Sequence, residues 1–202
     1  MSKIINSSQR KIINIIFKNP GINLRGIIEA TKLSPNYVLE YVNYLTNKKI
    51  LKEERLDRKG RVYLRRFFLD FHSELTKSLY LLVKEEEKEE FFSKYKSLRP
   101  IFEQIIEEVK EIDFLIVYGS YARLSAEKNS DIDILIVGKF KNKDRIKELL
   151  VNFDAEPSIK VESLEDFKKM MHENLHKNIM REGIVIYDSG KFINMISKQQ
   201  KY

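Results

Sequence analysis

Two apolar runs constrain the fold of this chain more than any other feature. They are DFLIVYG at 113–119 and DIDILIVG at 131–138. Short apolar runs of this kind, rich in β-branched residues, predict buried strands. Further along, SIKVE and IVIYD add two short strand patterns, and helical patterns such as KDRIKELLVNF lie between them. This alternation predicts an α/β domain with a small mixed sheet.

Two aspartates stand at the head of the second run. Side chains two apart on a strand share a face, so Asp131 and Asp133 project together beside the turn that carries Gly119 and Ser120. Paired carboxylates suit Mg²⁺, which binds through one or two of them plus substrate phosphates. Gly119 lets the backbone approach a ligand, and the amides beside Ser120 favour an anion. We therefore predict that the aspartates hold Mg²⁺ against a nucleoside triphosphate.

The charge of the chain is unevenly distributed. Residues 1–72 contain 15 Lys/Arg and 6 Asp/Glu, a net charge of +9, whereas the remainder contains 22 and 24, a net charge of −2. This division predicts two domains with different partners, and it assigns polyanion binding to the first. With no cysteine, no bilayer-length apolar run and no signal-peptide pattern, we expect a cytoplasmic protein without a membrane partner.

Three helical patterns and a hairpin open the chain. The helices start at Ser7 or Ser8, at Asn23 and at Ser34, and the hairpin turns at residues 57–60. This order resembles a winged helix-turn-helix domain. The resemblance implies that the third helix enters the major groove of duplex DNA and that the hairpin contacts phosphates. The expected DNA-binding residues are Asn36, Tyr37, Arg58, Lys59 and Arg61. A solvated basic face or a dimerisation module is the alternative.

A helical connector follows. The pattern runs from Asp70 to about Glu111, and Pro100 is expected to break it and to open a new helix. Its apolar stripe packs either on the following domain or on a second copy, so a homodimer is a further expectation. The sequence thus predicts an α+β protein of two domains: a winged helix-turn-helix domain at 1–70, a connector at 71–111 and a nucleotidyltransferase domain at 112–202.

The function assigned to the last domain comes from a second resemblance. The run GSYAR at 119–123, followed after seven residues by DID at 131–133, resembles the nucleotidyltransferase domains of the DNA polymerase beta superfamily, and more narrowly the minimal ones of archaea and bacteria. The resemblance covers about residues 97–190. It implies Mg²⁺ on Asp131 and Asp133, the β- and γ-phosphates on Gly119 and Ser120, and transfer of a nucleotidyl group from ATP or another triphosphate to an acceptor hydroxyl, with a protein as one candidate acceptor. Arg123 and Ser130 are also expected to contact the nucleotide.

Two departures from that family pattern matter. Leu124 stands where family members usually have glycine, and a left-handed backbone there costs a leucine about 1 kcal/mol. The family also has a third carboxylate on the next strand, and Lys160 takes its expected position here. Glu162 lies on the same strand face, about 7 Å further along.

The third strand leaves two alternatives open. Either Glu162 is the third catalytic carboxylate, or the site has lost it and Lys160 neutralises the two aspartates. The first alternative predicts an enzyme, and the second predicts a non-enzymatic transcriptional regulator whose last domain senses nucleotide or is an inactive relic. His172 and His176 are expected four apart on one helix, a spacing that would let both reach one zinc, although a solvated helix face is the favoured interpretation.

Overall fold

The computed structural model of the protein describes residues 5–58, 61–109, 112–128, 130–140, 142–151 and 157–199. They form two compact units. One holds the described residues up to Val83 together with those from Ile196 onward, and the other holds Lys84–Met195. Within these described ranges, no helix combines the length and the apolar character needed to cross a membrane.

The first part of the chain forms the predicted three helices and hairpin. The elements are α1 (Ser7–Lys18), β1 (Ile22–Asn23), α2 (Leu24–Thr31), α3 (Pro35–Asn47), β2 (Leu51–Arg58) and β3 (Arg61–Leu69). Strands β2 and β3 pair antiparallel from Leu51 opposite Leu69 to Arg58 opposite Arg61. The short strand β1, which the sequence did not predict, pairs with the other side of β3 and completes a three-stranded sheet.

The helix starts follow the expected side-chain chemistry, with one correction. Asn23 begins α2, and Ser34 begins α3 with Pro35 at its first position, as predicted. Helix α1 is capped by Asn6 and not by Ser7 or Ser8. The Asn6 side chain accepts a hydrogen bond from the Gln9 amide at 2.8 Å, and the Gln9 side chain accepts one from the Asn6 amide at 3.0 Å. This reciprocal pair satisfies two N–H groups, which a serine one residue later cannot do.

The predicted inward stripes form the core of this first unit. Val38, Val42 and Leu45 of α3 are fully buried, as are several isoleucines of α1. Phe17 also packs against two other aromatic rings, with centroids 6.2 Å from Phe71 and 4.6 Å from Tyr80. Burial of these apolar surfaces is the main contribution that holds such short helices in place.

The remainder of the chain alternates helices and short strands. The elements are α4 (Glu74–Lys94), α5 (Leu98–Glu108), β4 (Ile112–Tyr118), α6 (Gly119–Ala122), β5 (Ile132–Gly138), α7 (Lys143–Leu150), β6 (Pro157–Glu162), α8 (Leu164–Met170), α9 (Asn174–Glu182), β7 (Ile184–Tyr187) and α10 (Ser189–Gln199).

Two helix predictions need correction. The connector breaks at residues 95–97, and Pro100 is the third residue of α5 and not its first. Proline is tolerated there because the first four N–H groups of a helix have no intrahelical partner. The single helix expected after Ser163 is two helices, α8 and α9, so His172 lies between them and His176 lies within α9.

The second unit contains a four-stranded sheet in the order β6-β5-β4-β7. Strands β5 and β6 are parallel, and the other neighbours are antiparallel. One face of β5, including Ile132 and Ile134, joins the apolar core that also contains α5 and α7. Asp133 belongs to the opposite face, because side chains alternate along a strand. Helices α8 and α10 cover that face, and the ring centroid of Phe114 in β4 lies 5.5 Å from that of Phe167 in α8 and 5.4 Å from that of Phe192 in α10.

Candidate functional sites

The turn between β4 and α6 is built around one close backbone approach. Antiparallel pairing places Tyr118, the last residue of β4, opposite Asp133 of β5. The next residue, Gly119, has φ +71, and a Cβ added to it would overlap Asp133 Oδ2 and lie 3.2 Å from its Cγ. Only glycine fits this backbone and this space. The turn therefore holds the Asp133 carboxylate directly against the main chain of Gly119.

Asp131 immediately precedes β5, and Asp133 is the second residue of that strand. Asp131 is exposed, and Asp133 is partly buried. Burial raises the pKa of Asp133 above its ordinary value, and the negative charge of Asp131 acts in the same direction. Hydrogen bonding from Ser158 and the positive charge of Arg123 oppose this rise without cancelling it. Two carboxylates that repel each other in this way favour a cation between them.

The pairing of β6 places a serine beside the aspartates. Ser158 is opposite Asp133, whereas Lys160 is opposite Leu135 and Glu162 is opposite Val137. The family pattern predicted Lys160 at the position next to the aspartates, and the register of the strands shows that Ser158 has that place. Glu162 lies four residues further along the strand than Ser158, which is about 13 Å at the usual rise.

Glu162 belongs to a separate buried cluster. Its side chain is 7% exposed, and its Oε2 lies 2.9 Å from Nε2 of His176, which is completely buried. Its Oε1 lies 2.5 Å from the ammonium of Lys160. Burial raises the pKa of Glu162, but the bonds from Lys160 and His176 outweigh that effect and hold it below the ordinary value.

This cluster changes the predictions for three residues. The structure does not bring Glu162 together with Asp131 and Asp133. In the ranges that it describes, no three His, Cys, Asp or Glu side chains are grouped closely enough to hold a metal ion. Lys160 pairs with Glu162, and His176 is a buried partner of the same carboxylate and not part of a solvated helix face. His172, outside α9, does not share a helix with it.

The remaining residues expected at the nucleotide surround the same turn. Ser120 follows Gly119 in α6, and Arg123 is exposed, with its Nη1 at 3.5 Å from Glu182 Oε2. Ser130 lies just before Asp131, and its hydroxyl accepts a hydrogen bond from the Glu127 amide at 2.9 Å. Ser130 therefore fixes the loop that leads into the aspartates.

Leu124 has φ +56, so the expectation of a left-handed residue at this position is confirmed. Its side chain packs against the apolar core. This packing offsets the backbone cost of about 1 kcal/mol that a leucine incurs there.

The predicted DNA-binding residues lie on α3 and on the β2–β3 hairpin. Asn36 is exposed in the first turn of α3. Tyr37 is partly buried there, and its hydroxyl donates a hydrogen bond to Asn6 Oδ1 at 3.4 Å. Lys59 lies outside the described residues, and so do the side chains of Arg58 and Arg61. Arg58 and Arg61 pair with each other in the ladder, which places both at the tip of the hairpin.

The base of the hairpin is joined to α3 by a polar network. Arg65 donates two hydrogen bonds to the nearly buried Glu53, at 2.8 and 2.9 Å, and one to Asn43 of α3 at 3.0 Å. The hydrogen bonds from Arg65, with a further contribution from Arg55, hold the pKa of Glu53 below its ordinary value despite burial. This network fixes the hairpin relative to α3.

Sequence reasoning missed two residues that lie beside Asp133. Ser158 escaped because a single sequence does not reveal which residues of two parallel strands lie opposite each other. Tyr118 was predicted only as a strand residue, yet it ends β4 opposite Asp133. Burial raises the pKa of Tyr118, and the charges of Asp133 and Glu162 add to the rise.

Comparisons with known proteins match both parts of the chain. A model of the family described as Polymerase beta, Nucleotidyltransferase matches residues 102–191, and one described as Winged helix-turn-helix DNA-binding matches residues 5–52. A "putative protein adenylyltransferase" of Methanocaldococcus jannaschii is 40% identical over 76 residues, which are 36% of this chain and 76% of the relative.

Three solved structures show weaker likeness. The PcaV transcriptional regulator of Streptomyces coelicolor, in complex with its natural ligand, has 25% identity over 34% of this chain and 47% of its own, with a TM-score of 0.29. The zinc-responsive MarR family member ZitR of Lactococcus lactis has 22% identity over 48% of this chain and 63% of its own, with a TM-score of 0.35. Streptococcus pneumoniae FabT, in complex with DNA, has 18% identity over 54% of this chain and 80% of its own, with a TM-score of 0.34. The chain thus spans about half the length of PcaV and less than two thirds of the length of ZitR.

The matches and the geometry agree on both parts of the chain. The Gly119 turn and the Asp131/Asp133 pair lie inside the segment matched by the nucleotidyltransferase family, and α1 to α3 lie inside the segment matched by the winged helix family. The chain belongs to the polymerase beta-type nucleotidyltransferase family and joins a domain of that family to a winged helix-turn-helix DNA-binding domain.

Proposed function

We propose that this protein binds duplex DNA and transfers a nucleotidyl group from a nucleoside triphosphate to an acceptor hydroxyl, with Mg²⁺ as cofactor. One observation carries the proposal: the Asp133 carboxylate is held against the backbone of Gly119, with Asp131 beside it. The arrangement offers hard oxygen ligands next to a main chain that a phosphate can approach closely.

The residues present fit Mg²⁺. In the described ranges, neither Asp131 nor Asp133 forms an ion pair with a lysine or arginine, so their mutual repulsion is left for a cation to relieve. Mg²⁺ needs only one or two carboxylates when substrate phosphates supply other ligands. When bound, the ion neutralises phosphate charge and polarises the phosphorus that is attacked.

The chain's own groups then bind and orient the triphosphate. The Gly119 backbone admits the phosphates at the turn, and Ser120 lies beside it at the start of α6. Arg123 is exposed and close enough to Asp133 to influence its pKa, so its guanidinium can turn from Glu182 to a phosphate. Ser130 holds the loop that carries Asp131 in place. Transfer is an in-line displacement at the α-phosphorus, with pyrophosphate as the leaving group.

We further propose ATP as the donor and a protein hydroxyl as the acceptor. The support is the relative from Methanocaldococcus jannaschii, whose name describes protein adenylyl transfer and of which this chain covers 76%. On this proposal, DNA binding by α3 and the hairpin brings the transferase to its place of action. A homodimer would allow two such readers to contact a two-fold symmetric site.

The experiment is a transfer assay with ATP labelled at the α-phosphate and the full chain. We expect Mg²⁺-dependent transfer and pyrophosphate release, both lost in Asp133→Asn. The matched control is Asp144→Asn, which makes the same chemical change at an exposed position of α7 and should leave both intact. Equal transfer by the two variants would disprove the assignment of Asp133.

A second candidate function is favoured by one specific observation. A serine, and not a carboxylate, lies opposite Asp133 on β6. A two-carboxylate site can bind Mg²⁺ and nucleotide without an acid to activate an acceptor, and the protein would then be a nucleotide-sensing transcriptional regulator. Mg²⁺-dependent ATP binding that alters DNA affinity, without any release of pyrophosphate, would identify this function.

A further inference from the structure

Ser158 is the hydroxyl that the sheet places beside the aspartates. It lies opposite Asp133 across the parallel pairing of β5 and β6, and paired residues in neighbouring strands point to the same face. Strand β6 is at the edge of the sheet, and Ser158 is exposed. The Ser158 side chain is close enough to the Asp133 carboxylate to lower its pKa, against the effect of burial. The side chain is thus both accessible and directed at the proposed nucleotide site.

Other serines of this unit are engaged in structural hydrogen bonds. The Ser130 hydroxyl accepts from the Glu127 amide, and the Ser163 hydroxyl caps α8 by accepting from the Asp166 amide at 3.1 Å. Ser189 is buried, and its hydroxyl donates to Glu85 at 2.7 Å. Ser158 differs from these three because the pairing of β5 and β6 places it opposite a carboxylate of the site.

Distance favours Ser158 as a nucleophile. Neighbouring strands are about 5 Å apart, so a nucleotide held by the Asp133 carboxylate comes next to the Ser158 side chain. A hydroxyl held about 3–3.5 Å from the atom that it attacks gains a large advantage over one that must arrive by diffusion. A fixed serine in the same chain meets this condition more easily than a hydroxyl on a second protein.

We propose that Ser158 is itself an acceptor and that the chain nucleotidylates its own β6. This inference rests on the proposed transferase function. The Ser158 Oγ forms a bond to the α-phosphorus of the triphosphate, the bond from that phosphorus to the bridging oxygen breaks, and pyrophosphate leaves with the electron pair. The serine proton is released to water. The product is a phosphodiester between Ser158 and the nucleoside.

The modification limits itself. A nucleotide attached at Ser158 occupies the face on which Asp133 lies, so a second triphosphate cannot bind there. Each chain therefore accepts one nucleotide and then loses its affinity for free triphosphate. This consequence gives a readout by binding, which does not depend on turnover.

The test uses the full chain with Mg²⁺ and ATP, followed by intact mass measurement, peptide mapping and calorimetry. We expect one adenylyl group per chain on the peptide that contains Ser158, and weaker ATP binding by the modified protein than by the unmodified one. Ser158→Ala should accept no group while its thermal unfolding stays like that of the parent. Ser158→Thr keeps a hydroxyl and should still be modified. The control Ser125→Ala removes another serine hydroxyl of this unit, which donates to the Ser120 carbonyl, and should be labelled normally.

The outcomes separate this proposal from the one on which it rests. Release of pyrophosphate and transfer to other proteins, with no adduct on the chain or with an adduct mapped to Tyr118, would overturn self-modification and leave the transferase intact. If ATP neither binds nor releases pyrophosphate in the parent chain, the transferase function itself fails, and self-modification fails with it.

Discussion

Replacement of Gly119 by alanine tests the geometry of the turn directly. The backbone at this position has φ +71, and the left-handed region costs a residue with a Cβ about 1–2 kcal/mol. The added Cβ also overlaps Asp133 Oδ2 and lies 3.2 Å from Cγ, so the carboxylate has to move by about 1 Å to reach normal contact distance. The substitution therefore acts on both stability and the site.

The two effects have separate magnitudes. We expect the free energy of unfolding to fall by about 1–2 kcal/mol because of the backbone strain. Misplacement of a catalytic group by about 1 Å can reduce the rate on the order of 100-fold, and nucleotidyl transfer should fall by a similar factor. Urea denaturation measures the first quantity, and the labelled-ATP assay measures the second.

Gly21→Ala is the matched control. Gly21 has φ +82, and an added Cβ there would lie 3.1 Å from the Phe68 ring, within the winged helix unit. This variant should lose a comparable amount of stability and keep full nucleotidyl transfer. If Gly119→Ala transfers nucleotide as fast as Gly21→Ala, the close approach of Asp133 to the turn is unimportant, and the reasoning about the site is refuted.

Three further predictions concern the hairpin and the buried cluster. Joint replacement of Arg58, Lys59 and Arg61 by alanine should weaken binding to every duplex sequence in fluorescence anisotropy. The slope of log K against log salt should become shallower by about 0.9 for each phosphate that the protein no longer neutralises. An unchanged slope would exclude a role for these side chains at the phosphates. Arg65→Ala should cost about 2 kcal/mol at neutral pH, because Glu53 loses its strongest hydrogen bonds. The pKa of Glu53 is depressed in the folded state, so the stability that Glu53 contributes is present above its unfolded-state pKa and is lost as the pH falls through its folded-state pKa. Urea denaturation at about pH 7 and about pH 3 should therefore show that Arg65→Ala loses less stability in acid. An equal loss at both pH values would contradict the pairing. Glu162→Gln should lower the free energy of unfolding by about 1–3 kcal/mol, because it weakens the pairing with Lys160 and His176. Mg²⁺-dependent ATP binding should stay intact in calorimetry. Loss of binding without loss of stability would instead support Glu162 as a metal ligand.

Much of the fold could be predicted because the signals are local. Ser34 followed by Pro35 marks the start of α3 wherever the helix packs, and the Asp57–Gly60 turn predicts the hairpin without knowledge of its neighbours. The i, i+2 spacing of Asp131 and Asp133 likewise predicts two carboxylates near each other, and the charge of Asp131 does raise the pKa of Asp133. These features depend on the backbone within a few residues, and a single sequence contains that information.

The parts that could not be predicted depend on contacts between distant segments. The place opposite Asp133 belongs to Ser158 and not to Lys160, because the register of parallel strands is set by packing and not by the sequence of either strand alone. The sequence pattern favours a solvated His176, but in the structure the side chain is buried, and its partner Glu162 lies on another element. The break between α8 and α9 places His172 outside the helix of His176 and removes the predicted zinc spacing.

Calorimetric titration of ATP into the full chain measures whether Asp131 and Asp133 hold a metal ion against a triphosphate, and it needs no second protein as acceptor. We expect binding in the presence of Mg²⁺, no binding when EDTA replaces it, and no binding by Asp133→Asn in either condition. Equal affinity with Mg²⁺ and with EDTA, or full affinity in Asp133→Asn, would show that the two aspartates do not form the nucleotide site.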